Sequence, residues 1–180
     1  MRRWLVIAVG IVAFGALSGG AAYEHVVPRS GDWQEIAWPF PRDGWLAGKA
    51  FRCGVAACGG GVELYVRPKM GFCNCDRGVA DDDEVDRVAD LDLISERFAP
   101  IARGDVVGIA DMPGRIRAYD LNMSDGSRHT AFGIAVARGC DLLVAVAHGK
   151  GDASEWRRAA LEFLARSEMT HWVTAAMEGR

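Results

Sequence analysis

The chain has no surplus of basic charge. Its 21 Lys and Arg stand against 24 Asp and Glu, a net charge of −3, so it carries no electrostatic footprint for nucleic acid. It also lacks internal repeats, low-complexity tracts and Gly/Ser linkers. Nothing therefore divides its 180 residues into more than one domain. No Gly-x-Ser-x-Gly elbow, His-Glu-x-x-His pair, phosphate loop or Gly-x-Gly-x-x-Gly turn occurs. These absences exclude the motif-bearing hydrolases, zinc proteases and nucleotide-binding enzymes. The reading leans away from catalysis and calls for no cofactor.

Charge is missing altogether from WLVIAVGIVAFGALSGGAA, Trp4 to Ala22, which follows Arg2 and Arg3 directly. A basic start ahead of an apolar run is an export signal. Two outcomes compete. The run is close to the length that spans a bilayer as a helix, and the arginines would hold the N-terminus in the cytoplasm. Gly20 and Ala22 also suit cleavage before Tyr23. Either outcome places the remainder outside the cytoplasm, tethered to the inner membrane and facing the periplasm, or cleaved and periplasmic or secreted. Residues 1–22 thus read as signal peptide or transmembrane anchor, 23–32 as a tether, and 33–180 as one domain.

Cysteine is scarce but clustered. Cys53, Cys58, Cys73 and Cys75 lie close together, and Cys140 stands far along the chain. In an oxidising exterior such residues form disulfides. The spacings are poor matches to the short Cys-x₂₋₄-Cys knuckles of structural zinc. In extended chain Cys73 and Cys75 point to one face, too far apart to bond each other easily, yet each is open to a partner on a neighbouring strand. Two cross-links within Cys53–Cys75 are geometrically reasonable. The pairing is not readable from sequence. Cys140 is the natural odd thiol, although it could take a partner from the cluster instead. The alternative is a thiol or metal handler, since thiolates suit copper(I) or zinc.

Hydrophobic patterning supplies the fold class, α/β in the α+β sense, with a central antiparallel meander and helices packed on its faces. WQEIAW (Trp33–Trp38) and VELYVR (Val62–Arg67) read as strands, and PFPRDGW (Pro39–Trp45) as a turn. In Val79–Ala99, helical spacing follows Asp81 and Glu84, which form a capping-box pair. Asp81, Asp82, Asp83 and Asp86 are oxygen donors, but their spacing is not that of an EF-hand, so they read as a solvated helix start. Four strands follow: DVVGIADM, RIRAYDL, RHTAFGIAVAR and DLLVAVAHG. The expected links are Pro113-Gly114, Asn122–Ser127 and Gly139-Cys140. Arg115 and Arg117 read as outward and solvated.

A two-residue turn at Gly139-Cys140 puts Arg138 opposite Asp141. It sets Ala131, Gly133, Ala135 and Ala137 against His148, Val146, Val144 and Leu142 on one face. Phe132, Ile134 and Val136 then meet Ala147, Ala145 and Leu143 on the other. A hairpin apolar on both faces needs cover on both. The acid-capped helix supplies one cover. The C-terminal region supplies the other, through an Asp152/Glu155 box, the stripe Trp156, Ala159, Ala160, Phe163 and Leu164, and a further helix from Ser167.

Two constellations carry candidate function. His129 and His148 fall on one face as diagonal neighbours, about 7–8 Å apart. They read as polar strand ends or, with no third ligand visible, as a metal pair. His25 and His171 read as surface residues. Trp38, Phe40 and Trp45 form either an aromatic recognition surface or a small core over the proline turn.

The stretches WPFPRDGW, GKAFRC, GFCNC and GVADDDEVDRV resemble an uncharacterised family of bacterial membrane-anchored envelope proteins. In that family an apolar N-terminus likewise precedes one cysteine-bearing domain. The order of hairpins, acidic helix, meander and final helix is also loosely similar to the Mog1/PsbP-like sandwich. The sandwich resemblance implies a binding or assembly role rather than catalysis, and neither resemblance brings a known activity to carry over. A stable scaffold without a convergent catalytic set points to an envelope protein as partner, and the apolar leader engages the membrane through residues 4–22.

Overall fold

The computed structural model describes residues 33–59, 61–71, 75–150 and 153–179. The expectations placed on the leader, the tether with His25, Cys73 and Asp152 lie outside those residues. Among the described residues no helix is long and apolar enough to cross a membrane.

Among the described residues eight strands make one antiparallel sheet: β1 (Trp33–Ile36), β2 (Lys49–Cys53), β3 (Val62–Lys69), β4 (Phe98–Pro100), β5 (Asp105–Ile109), β6 (Met112–Asn122), β7 (Arg128–Arg138) and β8 (Asp141–Gly149). Their order is β1-β2-β3-β8-β7-β6-β4, and β5 also pairs with β6. Among the described residues three helices longer than a single turn, α1 (Asp82–Val88), α2 (Ala153–Leu164) and α3 (Ser167–Met177), complete an α+β fold. Trp33–Arg180 forms one contact unit.

The centre of the sheet follows from the greasiest hairpin. β7 and β8 pair from Thr130↔Gly149 to Arg138↔Asp141 in the register that a turn at Gly139-Cys140 dictates. Because side chains alternate, two apolar faces result. Phe132, Ile134, Val136, Leu143, Ala145 and Ala147 pack with Trp156, Ala160, Phe163, Leu164, Met169 and Val173, which brings α2 and α3 onto one face. Ala131, Ala135, Ala137, Leu142, Val144 and Val146 pack with Val85, Val88 and Leu91, so the acid-capped segment covers the other.

Local chemistry fixes α1. Asp81 is extended, and its carboxylate accepts from Glu84 N at 2.9 Å, satisfying one orphan donor of the first turn. The helix is shorter than the spacing suggested. Ala89 leaves it in extended geometry, and Asp90 is thereby delivered to two cations of β3. Arg115 and Arg117 are not solvated as expected. Arg115 Nη2 meets Asp82 at 2.6 Å and Arg117 Nη1 meets Asp86 at 2.6 Å, clamping α1 to β6. The acids considered as calcium donors are thus occupied by a cap and two arginines, and only Asp83 of the four is left out.

Pro113-Gly114 is not a turn. Both residues lie in β6, and the reversal is Ala110-Asp111, between the paired Ile109 and Met112. The β6–β7 register begins at Gly114↔Val136, so Pro113 sits where β6 has β5 alone beside it, a position that tolerates a missing donor. Gly114 is required by proximity: a Cβ there would lie 2.0 Å from Ala135 O.

Among the described residues two disulfides cross-link the fold. Cys53–Cys58 closes the helical turn Val55–Cys58 and is buried in the α2/α3-side core. Cys75–Cys140 ties the segment after β3 to the β7–β8 turn. Cys140, the expected odd thiol, is therefore bonded. Its place in an exposed two-residue turn brings it to Cys75, which sequence distance alone did not suggest.

Candidate functional site: an aromatic cleft over a buried ion network

β3 is buried along nearly its whole length, yet Glu63, Tyr65, Arg67 and Lys69 alternate along it and share the face opposite Leu64 and Val66. The connection from β1 to β2 folds over this row as a strap. Two features shape the strap. Asp43 Oδ1 accepts from Trp45 N at 3.2 Å, a local turn within PFPRDGW, and Gly44 takes φ +91°. Gly48, at the strap's end, lets it lie flat. A Cβ there would stand 2.3 Å from Val66 O and 2.5 Å from the Trp38 ring.

Trp38, Phe40 and Trp45 are brought together. Trp38 meets Phe40 edge-on at 5.2 Å between centroids, and Tyr65 packs edge-on against both, at 6.1 and 4.8 Å. Arg67 lies 5.9 Å from the Trp38 ring and Lys69 5.6 Å from that of Trp45, each within cation–π reach. The aromatics are only half-buried. With Leu46, Met70 and, from α3, Trp172, they line a cleft of about 750 Å³. Leu46 is 48 % exposed and Met70 39 %. The strap thus covers Tyr65 and the β3 cations while leaving an apolar concavity open to solvent.

Beneath the cleft lies a network with little access to water. Asp90 accepts from Arg67 Nε at 2.6 Å and Nη2 at 2.7 Å, and from Lys69 Nζ at 2.7 Å. Lys69 also donates to Val88 O at 2.8 Å, reading the carbonyl end of α1. Asp43 reaches Arg67 from the strap, with Nη1–Oδ1 at 2.9 Å and Nη2–Oδ2 at 2.7 Å. Burial works against the Arg67 charge, but hydrogen bonds to Asp90 and Asp43 outweigh it and hold the guanidinium above its ordinary value. The Arg67 hydrogen bond in turn holds the Asp43 carboxyl below the usual range. Removing one partner from the buried Arg67, Lys69 and Asp90 set costs about 3–5 kcal/mol, because the remaining charge is stranded.

The row continues to the two histidines. His148 stacks on Tyr65 at 5.7 Å and on His129 at 5.6 Å, and His129 Nδ1 lies 3.3 Å from His148 Nδ1. The diagonal pair expected from the register thus closes to direct contact. At that distance one ring can donate to the other, the direction depending on the tautomer of each. His148 Nε2 stands 3.6 Å from Glu63 Oε2, too long for a hydrogen bond and short enough for charge attraction once the imidazole is protonated. Facing His148, and against its own burial, Glu63 is held down at about 2, with Tyr65 and Arg52 adding their hydrogen bonds. Burial, then the neighbouring His148, lowers His129 below its ordinary value.

Among the described residues no group of three or more His, Cys, Asp or Glu side chains is placed to hold a metal. His171 lies exposed on α3.

The buried ion network was missed by the sequence reading. Its one signal was the charged pair Arg67 and Lys69 alternating along a strand that is otherwise buried. Trp172 joins the cleft from more than a hundred residues away, which no local pattern reveals. No known protein family matches the chain, and no curated protein matches it.

Proposed function

We propose that this protein is a membrane-tethered extracytoplasmic binding or assembly module whose recognition surface is the aromatic cleft of Trp38, Phe40, Trp45 and Trp172. The observation that carries this reading is the cleft itself. Its size, about 750 Å³, falls within the range of roughly 300–1,000 Å³ typical of ligand sites. Its rim exposes Leu46 and Met70 where a solvated surface gains nothing from them. Its floor rests on the buried contacts of Arg67 and Lys69 with Asp90. The apolar leader supports the tether, and the two disulfides support an oxidising compartment.

The test is capture of a partner by the full chain from solubilised membranes, set beside Leu46→Asp in the cleft and Val106→Asp on β5. A stoichiometric partner held by the parent and by Val106→Asp but lost by Leu46→Asp supports the reading. No stoichiometric partner, or one insensitive to Leu46→Asp, contradicts it.

A further inference from the structure

The geometry points to a carboxylate, carried on an apolar or aromatic body, as the ligand of this cleft, with Asp43 standing in its place on Arg67. The inference rests on the cleft being the recognition surface and names what that surface takes.

Arg67 presents two hydrogen-bonding edges. The Nε/Nη2 edge is held by Asp90, whose side chain is 10 % exposed and which also accepts from Lys69. The Nη1/Nη2 fork faces the strap and is held end-on by both oxygens of Asp43, whose side chain is 29 % exposed. The two carboxylates differ in how they are fixed. Asp90 follows directly on α1, under the sheet. Asp43 sits in a surface turn flanked by Pro41 and by Gly44 at φ +91°, with Arg67 lining the cleft beside it. Swinging Asp43 away would leave a buried guanidinium fork open toward the cleft. A planar carboxylate is the group that fits that fork with two parallel hydrogen bonds. Around the fork, Trp38, Trp45, Trp172, Leu46 and Met70 offer apolar and aromatic contact for the rest of the ligand. Arg42 at the rim adds positive charge that favours an anion's approach. A polypeptide C-terminus with an apolar last residue and a free aryl-alkanoic acid share this chemistry.

Binding of Ac-Ala-Ala-Phe as free acid and as C-terminal amide, and of 3-phenylpropanoate, to the full chain in detergent tests the inference by calorimetry and tryptophan fluorescence. The acid peptide is expected to bind at least tenfold more tightly than the amide. Asp43→Asn, which removes the internal competitor's charge, is expected to tighten the acid at least tenfold and to raise the acid-to-amide ratio. Asp43→Ala serves as the second variant if Asp43→Asn disturbs the strap, and the acid-to-amide ratio of the parent needs no variant. Equal binding of acid and amide would overturn the carboxylate assignment while leaving the cleft as a binding surface. Weaker acid binding in both folded Asp43 variants would overturn Asp43 as the ligand's stand-in. No binding of acid, amide or phenylpropanoate would remove the carboxylate inference and count against the cleft itself. Phenylpropanoate matching the peptide would identify a small acid as the ligand, and a clear peptide preference a chain terminus; both support the inference.

Discussion

Ala110 is the residue at which backbone geometry and side chain disagree most plainly. It opens the Ala110-Asp111 reversal with φ +53°, alone among the described non-glycine residues in the left-handed region. That conformation costs an L-residue roughly 1–2 kcal/mol, part of which glycine gives back as lost chain entropy. Ala110→Gly is therefore expected to stabilise the fold by up to about 1 kcal/mol in urea denaturation. A loss of stability would show the reversal to be formed differently. Titration at the histidine row gives a second residue-scale expectation. His129 is lowered on folding, so its contribution is present above its ordinary value near 6.5 and is lost as pH falls through the lower folded value. Glu63 is depressed from 4.5 to about 2, so its contribution is present above 4.5 and disappears between 4.5 and 2. Stability measured against pH should fall in two stages. His129→Gln should flatten the upper stage and Glu63→Gln the lower; one featureless decline unaffected by either substitution would contradict the assignment.

Among the elements, the strap decides whether the cleft exists. It lies on the sheet only because Gly48 lacks a side chain, the nearest obstacles being Val66 O and the Trp38 ring. Gly48→Ala should lift Trp38, raise its exposure to a fluorescence quencher and abolish cleft binding, while leaving the far-ultraviolet circular dichroism of the sheet intact. Retained shielding of the tryptophans would show that the strap is anchored elsewhere. The elements also show how much the sequence made legible. The β7–β8 register followed from one glycine-containing turn and from strict alternation, because a slip of one residue would exchange the two faces. The α1 start followed from Asp81, since capping is a local interaction. β2 was legible only as a neighbouring strand carrying Cys53 or Cys58, without bounds: KAFRC is short, carries two cations and sits between Gly48 and Gly54, so its strand character comes from β1 and β3 on either side. Pro113-Gly114 misled because its chemistry is that of a turn, while its role here is a strand edge and a close backbone approach. Arg115, Arg117, Arg67 and Lys69 were opaque for one reason: their acidic partners lie more than twenty residues away, and alternation along a strand does not say what covers the face.

At the scale of the molecule, two covers on one sheet meet two sulfur cross-links of different reach. Cys53–Cys58 spans five residues and Cys75–Cys140 spans 65. In the chain-entropy account these stabilise the fold by about 2 and about 4 kcal/mol, a substantial share of the roughly 5–15 kcal/mol typical of a domain. The strap, the ion network and the cleft are attached to that scaffold and depend on it. Counting accessible thiols in the denatured, unreduced full chain, isolated with alkylation at lysis, therefore tests the central claim of an exported, disulfide-stapled scaffold most directly. Five cysteines and two bonds predict one alkylated thiol; five alkylated thiols would contradict the account.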